Sequence, residues 1–173
     1  MKIVIAMIVV ALSACSYTSR DTELDLFSPP NWTVNFHDTV VNYETKCGDS
    51  NVLVGMNRLL KSDGGVYFFL LAPIGNAAVY DVPENGLEVF VRYPDTKAIC
   101  DLKDVTLSSG RKKLKPTETA FEQETTCSYK FDIPLTEVGQ MEIKFHWAES
   151  CSIPNLPIKY KTKSRHHYDS IQG

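Results

Sequence analysis

The sequence predicts an all-β domain, an antiparallel β-sandwich of immunoglobulin-like type with two disulfides, and three observations carry that reading. First, Leu87-Val89-Val91-Tyr93, Cys127-Tyr129-Phe131-Ile133 and Met141-Ile143-Phe145-Trp147 each place apolar residues at every second position, the period of a half-buried strand. Second, turn residues recur at short intervals, as at Gly48-Asp49, Ser62-Asp63-Gly64-Gly65, Glu84-Asn85-Gly86 and Ser108-Ser109-Gly110, which leaves little room for helix. Third, Cys47, Cys100, Cys127 and Cys151 form an even set without C-x-x-C spacing, the arithmetic of two structural bridges. An up-and-down barrel is the alternative, because it alternates apolar and polar residues on every strand too.

Taken in order, the chain opens with Lys2, an apolar run from Ile3 to Leu12, and then Leu12-Ser13-Ala14-Cys15. About ten apolar residues are too few to cross a bilayer. Cleavage after Ala14 puts Leu12 three residues before the cut, where an ordinary secretory signal has a small residue. The segment resembles a bacterial lipoprotein signal, whose Leu-(Ser/Ala)-(Gly/Ala)-Cys box Leu12 to Cys15 matches. The resemblance implies removal of residues 1–14 and acylation of Cys15 as the mature N-terminus. With Ser16 and not Asp following the cysteine, it also implies an outer-membrane anchor, expected to face the periplasm. It covers residues 1–16 and is silent about the mature domain. Two or three acyl chains make release negligible, since each buried methylene is worth about 0.8 kcal/mol.

Residues 15–30 read as a lipidated N-terminus and flexible tether: Ser16 to Pro30 is polar and acidic, ends in two prolines and has no apolar period. Fifteen such residues reach about 50 Å when extended. Residues 31–173 then suit a single domain large enough to bury a core. Trp32, Val34 and Phe36 alternate with Thr33, Asn35 and His37, and Val40 to Tyr43 continues extended to Cys47. Val52 to Leu60 fits a strand or a short helix, with a hairpin at Ser62 to Gly65. Val66 to Ala72 is the most apolar run of the mature chain and reads as one strand in the centre of the core. Val79 to Val82 is a short strand and 87–93 a firm one. Pro116 to Glu124 reads as a loop or single helical turn, 127–133 and 141–147 as strands, and Leu135 to Gly139 as a corner between them. Ile158-Tyr160-Thr162 alternates with Lys159, Lys161 and Lys163, a final strand with one basic face. The tail from Arg165 is polar and expected to fray.

The formal charge of -3 becomes -4 once Lys2 leaves with the signal, which predicts no nucleic-acid partner. No G-x-S-x-G elbow, H-E-x-x-H pair, phosphate loop or EF-hand loop is present. His37-Asp38 lacks an identifiable nucleophile, and adjacent His166 and His167 point to opposite faces of a strand. Neither a catalytic residue, a metal site nor a cofactor is therefore expected. The unexplained chemistry is basic: Arg111, Lys112 and Lys113 in a loop, and Lys159, Lys161, Lys163 and Arg165 along the last strand. The latter charges suit an edge strand protected from pairing with other chains, and both sets are candidate surfaces for a periplasmic protein partner. The functional expectation is a membrane-anchored, non-catalytic protein-binding module with an inhibitor, immunity or envelope-assembly role. An anchored envelope hydrolase and a structural envelope lipoprotein are the alternatives.

Overall fold

The computed structural model describes residues 15–37, 39–63, 66–69, 72–76, 86–93, 100–123, 125–133, 139–146 and 152–169. They form strands and no helix. In chain order these are β1 (Cys15–Leu24), β2 (Thr33–His37), β3 (Val40–Cys47), β4 (Ser50–Asn57), β5 (Leu59–Asp63), β6 (Val66–Phe69) and β7 (Ala72–Asn76). There follow β8 (Gly86–Arg92), β9 (Val105–Ser109), β10 (Lys112–Leu114), β11 (Glu118–Gln123), β12 (Thr126–Asp132), β13 (Gln140–Phe145) and β14 (Leu156–Asp169). One antiparallel sheet runs β11-β12-β8-β4-β3-β2; the second runs β10-β9-β13-β14-β1-β6-β7, with β5 also paired to β1.

Local chemistry sets the registers. The β3–β4 and β9–β10 hairpins each close with two residues, Gly48-Asp49 and Gly110-Arg111. In both the glycine has positive φ, +61° and +56°, as the first central position of a type II′ turn requires. Before β2, Trp32 N–H donates to the Pro29 carbonyl at 3.1 Å and Asn31 has φ +68°. That is the type II arrangement, with proline first and a residue tolerant of positive φ second. The chain leaves the first sheet at Arg58, whose N–H donates to Thr39 O at 2.8 Å while its carbonyl accepts from Leu24 N–H at 2.7 Å. The corner thereby starts β5 alongside β1.

Alternation puts the inner residues of both sheets into one buried cluster. Val41, Tyr43, Val54, Met56, Val89, Val91, Tyr129 and Phe131 face Leu24, Leu60, Leu107, Ile143, Leu156, Ile158 and Tyr160. Each such large apolar side chain contributes about 1.5 to 3 kcal/mol by leaving water. At one side Trp32 donates from Nε1 to Asn155 O at 3.2 Å, and its ring lies 5.9 Å from that of Phe145, joining the sheets. Cys100 and Cys127 form a disulfide with Cα atoms 5.8 Å apart. Cys47, buried at the end of β3, is also disulfide-bonded, and Cys151 lies outside the described residues.

Several sequence expectations are corrected. Residues 15–24 are not tether but β1, because hydrogen bonding to β14, β5 and β6 satisfies a polar segment that has no apolar period. Pro116 to Glu124 is mostly β11, held as an edge strand by β12. The tail does not fray at Arg165; β14 continues to Asp169 against β1. Val66 to Ala72 is divided between β6 and β7, which turn back on each other at the end of the sheet and not at its centre. β5 and β6 do not pair as a hairpin among the described residues: both run antiparallel to β1, with Asp63 opposite Arg20 and Tyr67 opposite Tyr17. The signal at 1–14, Asp38, Gly64-Gly65, the strand at Val79 to Val82, the corner at 135–138 and Trp147 lie outside the described residues.

Candidate functional site

Two surfaces concentrate chemistry, one on the outer face of each sheet. On the second sheet β14 pairs with β13 over Leu156–Lys159 and with β1 over Tyr160–Asp169, so Lys161, Lys163 and Arg165 lie beside β1, beyond the end of the β13 ladder. They meet acids. Arg165 reaches both Asp21, at 3.3 Å from Nε, and Glu23; Lys163 contacts Glu23 and Lys161 contacts Asp25. Arg58 adds a fourth cation 3.6 Å from Glu23. Glu23 is only 2% exposed beneath these chains. Burial pushes its carboxyl upward, but the hydrogen bond from Lys163 and the charges of Arg165 and Lys163 outweigh that and hold it below the usual range. Asp25 is lowered mainly by its hydrogen bond from Lys161. Alternation explains the ladder: residues 21 and 23 of β1 and 161, 163 and 165 of β14 share one face.

The other basic candidates, Arg111 at the tip of the β9–β10 hairpin and Lys112 and Lys113 on β10, are exposed at the sheet edge. Lys159 is exposed opposite Gln140. The structure brings Lys161, Lys163 and Arg165 together around acids, and β9 and β13 lie between them and the β10 group.

On the first sheet, Val40, Asn42, Leu53, Gly55, Phe90, Arg92, Glu122 and Thr126 line a groove of about 290 Å³. Cross-strand register builds it. Asn42, Gly55, Phe90 and Ser128 lie in one row across β3, β4, β8 and β12, and Leu53, Arg92 and Thr126 in the next. Gly55 makes the depression: a Cβ there would sit 3.0 Å from Asn42 Oδ1 and 3.7 Å from Phe90 Cβ. Buried Ser128 donates to Glu122 Oε1 at 3.1 Å, fixing that carboxylate at one end. The floor is thus apolar, while a guanidinium, a carboxylate, an amide and a hydroxyl stand around it. Such a set can hold an apolar body and pair both donors and acceptors. Sequence reasoning missed this groove; the available signal was a glycine inside the apolar strand Val52–Met56, which often marks close approach to a ligand or backbone.

Comparison of the chain with protein-family models, curated proteins and solved structures found no match.

The remaining polar chemistry is internal or scattered. Tyr93 and Tyr129 share a hydrogen bond of 2.9 Å, and Tyr129 donates to Asp104 Oδ2 at 3.2 Å. Burial raises both phenols well above their ordinary range. His146 bonds Thr106 Oγ1 at 2.9 Å on the second sheet, whereas His37 ends β2 on the first. Neither lines the groove. Among the described residues no group of three or more His, Cys, Asp or Glu converges as metal ligands. Cys15 begins β1, opposite Asp169 and Phe69.

Proposed function

We propose that this is an outer-membrane lipoprotein, anchored through Cys15 toward the periplasm, that acts as a non-catalytic module binding a protein partner. The observation that supports binding best is the groove around Gly55, where Phe90, Val40 and Leu53 offer an apolar seat flanked by Arg92 and Glu122. An anchor residue of the partner entering such a seat, with paired charges at its rim, is how small interfaces concentrate their energy. An inhibitor, immunity or envelope-assembly role is compatible with that geometry. Hydrolysis is less so: among the described residues the groove contributes one carboxylate, Glu122, and no histidine or cysteine, while a glycosidase needs two carboxylates across the scissile bond. The finer immunoglobulin-like kinship and a second bridge, Cys47 to Cys151, belong to the same proposal, and non-reducing peptide mapping tests the bridge.

The interface is tested by placing a photo-crosslinking residue at Phe90, at Leu53, at Lys113 and, as a control, at Phe121, in the full chain in its native envelope. A discrete adduct at Phe90 and Leu53 that disappears with Arg92→Glu, in a protein of unchanged circular dichroism, supports the groove. Adducts confined to Lys113 transfer the proposal to the basic hairpin. Equal adducts at all positions, or none, defeat it.

A further inference from the structure

The longest uncharged stretch of the mature chain and the acylation cysteine meet at the same end of the second sheet. Residues 64–80 carry no charged side chain, between Asp63 and Asp81. Within them β6 pairs with β1 so that Phe69 lies opposite Cys15, Phe68 opposite Ser16 and Tyr67 opposite Tyr17. β7 folds back on β6, with Ala72 opposite Phe69, and stands at one end of that sheet among the described residues. The β13–β14 ladder stops at Lys159, whereas β1 and β14 stay paired as far as Cys15 and Asp169. From buried Leu24 to Cys15 a strand advances about 30 Å. The ribbon therefore carries Cys15 away from the core, and β6 and β7 travel with it.

We infer that the β6–β7 hairpin is a membrane-contact element that seats the domain on the phospholipid surface beside its own lipid anchor. This rests on the reading of Cys15 as the acylated residue. Acyl chains on Cys15 must enter the bilayer within a few bonds of its backbone, and antiparallel partners are about 5 Å apart. The headgroup layer of one leaflet is about 5 to 8 Å thick, so the backbone of Phe69 lies within that layer once Cys15 is anchored. Tyrosine is enriched at this depth, and uncharged apolar residues enter it at little cost. The hairpin supplies Tyr67, Phe68 and Phe69 on β6 and Ala72, Pro73 and Ile74 on β7. The absence of a tether between Cys15 and β1 is what makes the contact obligatory: a free linker would let the domain stand away, while a strand beginning at the anchor does not.

The test uses the full lipidated chain, purified from membranes and reconstituted into phosphatidylethanolamine and phosphatidylglycerol vesicles, with or without dibrominated acyl chains. Phe69→Trp and the milder Tyr67→Trp are compared with the parent protein, which carries Trp32 and Trp147, and with Phe121→Trp on the other sheet. Folding of each variant is checked by circular dichroism. The added emission at position 69 or 67 is expected to fall by roughly half or more in brominated vesicles, as interfacial indoles do, while that at 121 is unchanged. Intact mass on the same preparations reports acylation. An acylated protein without selective quenching at 69 and 67 overturns the hairpin contact and leaves the anchor standing; light scattering that shows a dimer in that case assigns the hairpin to a second copy. An unmodified Cys15 overturns the anchor and this inference with it.

Discussion

Arg165, opposite Ser19 across the β1–β14 ladder, reaches diagonally to Glu23, where Lys163 and Arg58 also converge. Diagonal pairing lets one buried carboxylate serve three cations that remain partly solvated. Glu23→Gln keeps the shape and removes the charge, leaving those cations to repel one another. We predict a loss of about 1 to 3 kcal/mol, toward the lower end because the cations are about two-fifths exposed and screened by solvent. Urea midpoints of the two proteins measure it; an unchanged midpoint means the ladder contributes solubility and no stability.

The same carboxylates set an acid limit. Glu23, Asp25 and Glu142 all have folded values held below their ordinary 4.5, 3.8 and 4.5. A depressed carboxyl contributes fully above its unfolded value, and the contribution is lost as pH falls through the lower folded one. Stability is therefore expected to be flat above pH 4.5 on their account and to decline below it. Denaturation midpoints across that range report the slope, and the decline should be shallower in Glu23→Gln.

Two buried tyrosines make opposite predictions. The hydroxyl of Tyr43 is buried with no hydrogen-bond partner among the described residues, and burial together with the charge of Asp25 pushes it up to about 12. Tyr129 links Tyr93 to Asp104. Removing an unsatisfied group relieves a desolvation cost, whereas removing a central hydroxyl deletes the two hydrogen bonds it makes. Tyr43→Phe should hold or raise the thermal midpoint, and Tyr129→Phe should lower stability by about 1 to 2 kcal/mol. Similar losses in both would contradict the distinction.

The proposed acylation makes a prediction independent of the fold. Cys15→Ser should accumulate as an uncleaved precursor, and mass spectrometry of the parent protein should find the mature chain beginning at an acylated Cys15. A normally processed, soluble Cys15→Ser protein would exclude the anchor.

The strands at 87–93, 127–133 and 141–145 were legible because each is buried on one face and solvated on the other, so composition repeats the geometry. Cysteine parity pointed to bridges but left three pairings open; the structure shows Cys100 joined to Cys127, a bridge worth roughly 3 to 4 kcal/mol. β1 was not legible. Its outward residues Asp21 and Glu23 are buried by long basic chains from β14, so a polar segment that resembles linker is in fact covered, and only the partner strand reveals it. The groove escaped for a related reason: Asn42, Gly55, Phe90 and Glu122 come from four strands, and no periodicity within one segment encodes a row that crosses several. Gly55 alone could have raised the question.

The ladder also divides the basic residues into two groups that sequence treats alike, and charge reversal separates them. Lys112→Glu with Lys113→Glu alters an exposed edge hairpin whose turn is set by Gly110, so folding should be nearly unchanged. Lys161→Glu with Lys163→Glu puts new carboxylates against Asp21 and Glu23 on the adjacent strand and Asp25 just past its end. Like charges across a ladder are unfavourable, and Glu23 cannot leave its site without dismantling β1. This second pair should lower stability by about 2 kcal/mol or more, with a larger effect at low salt than at high salt. Any loss of partner capture in the second pair must then be read against its stability, while loss in the first pair reports the surface directly. Equal, negligible destabilisation in both pairs would mean that Lys161 and Lys163 are solvated charges whose contacts to β1 carry no weight.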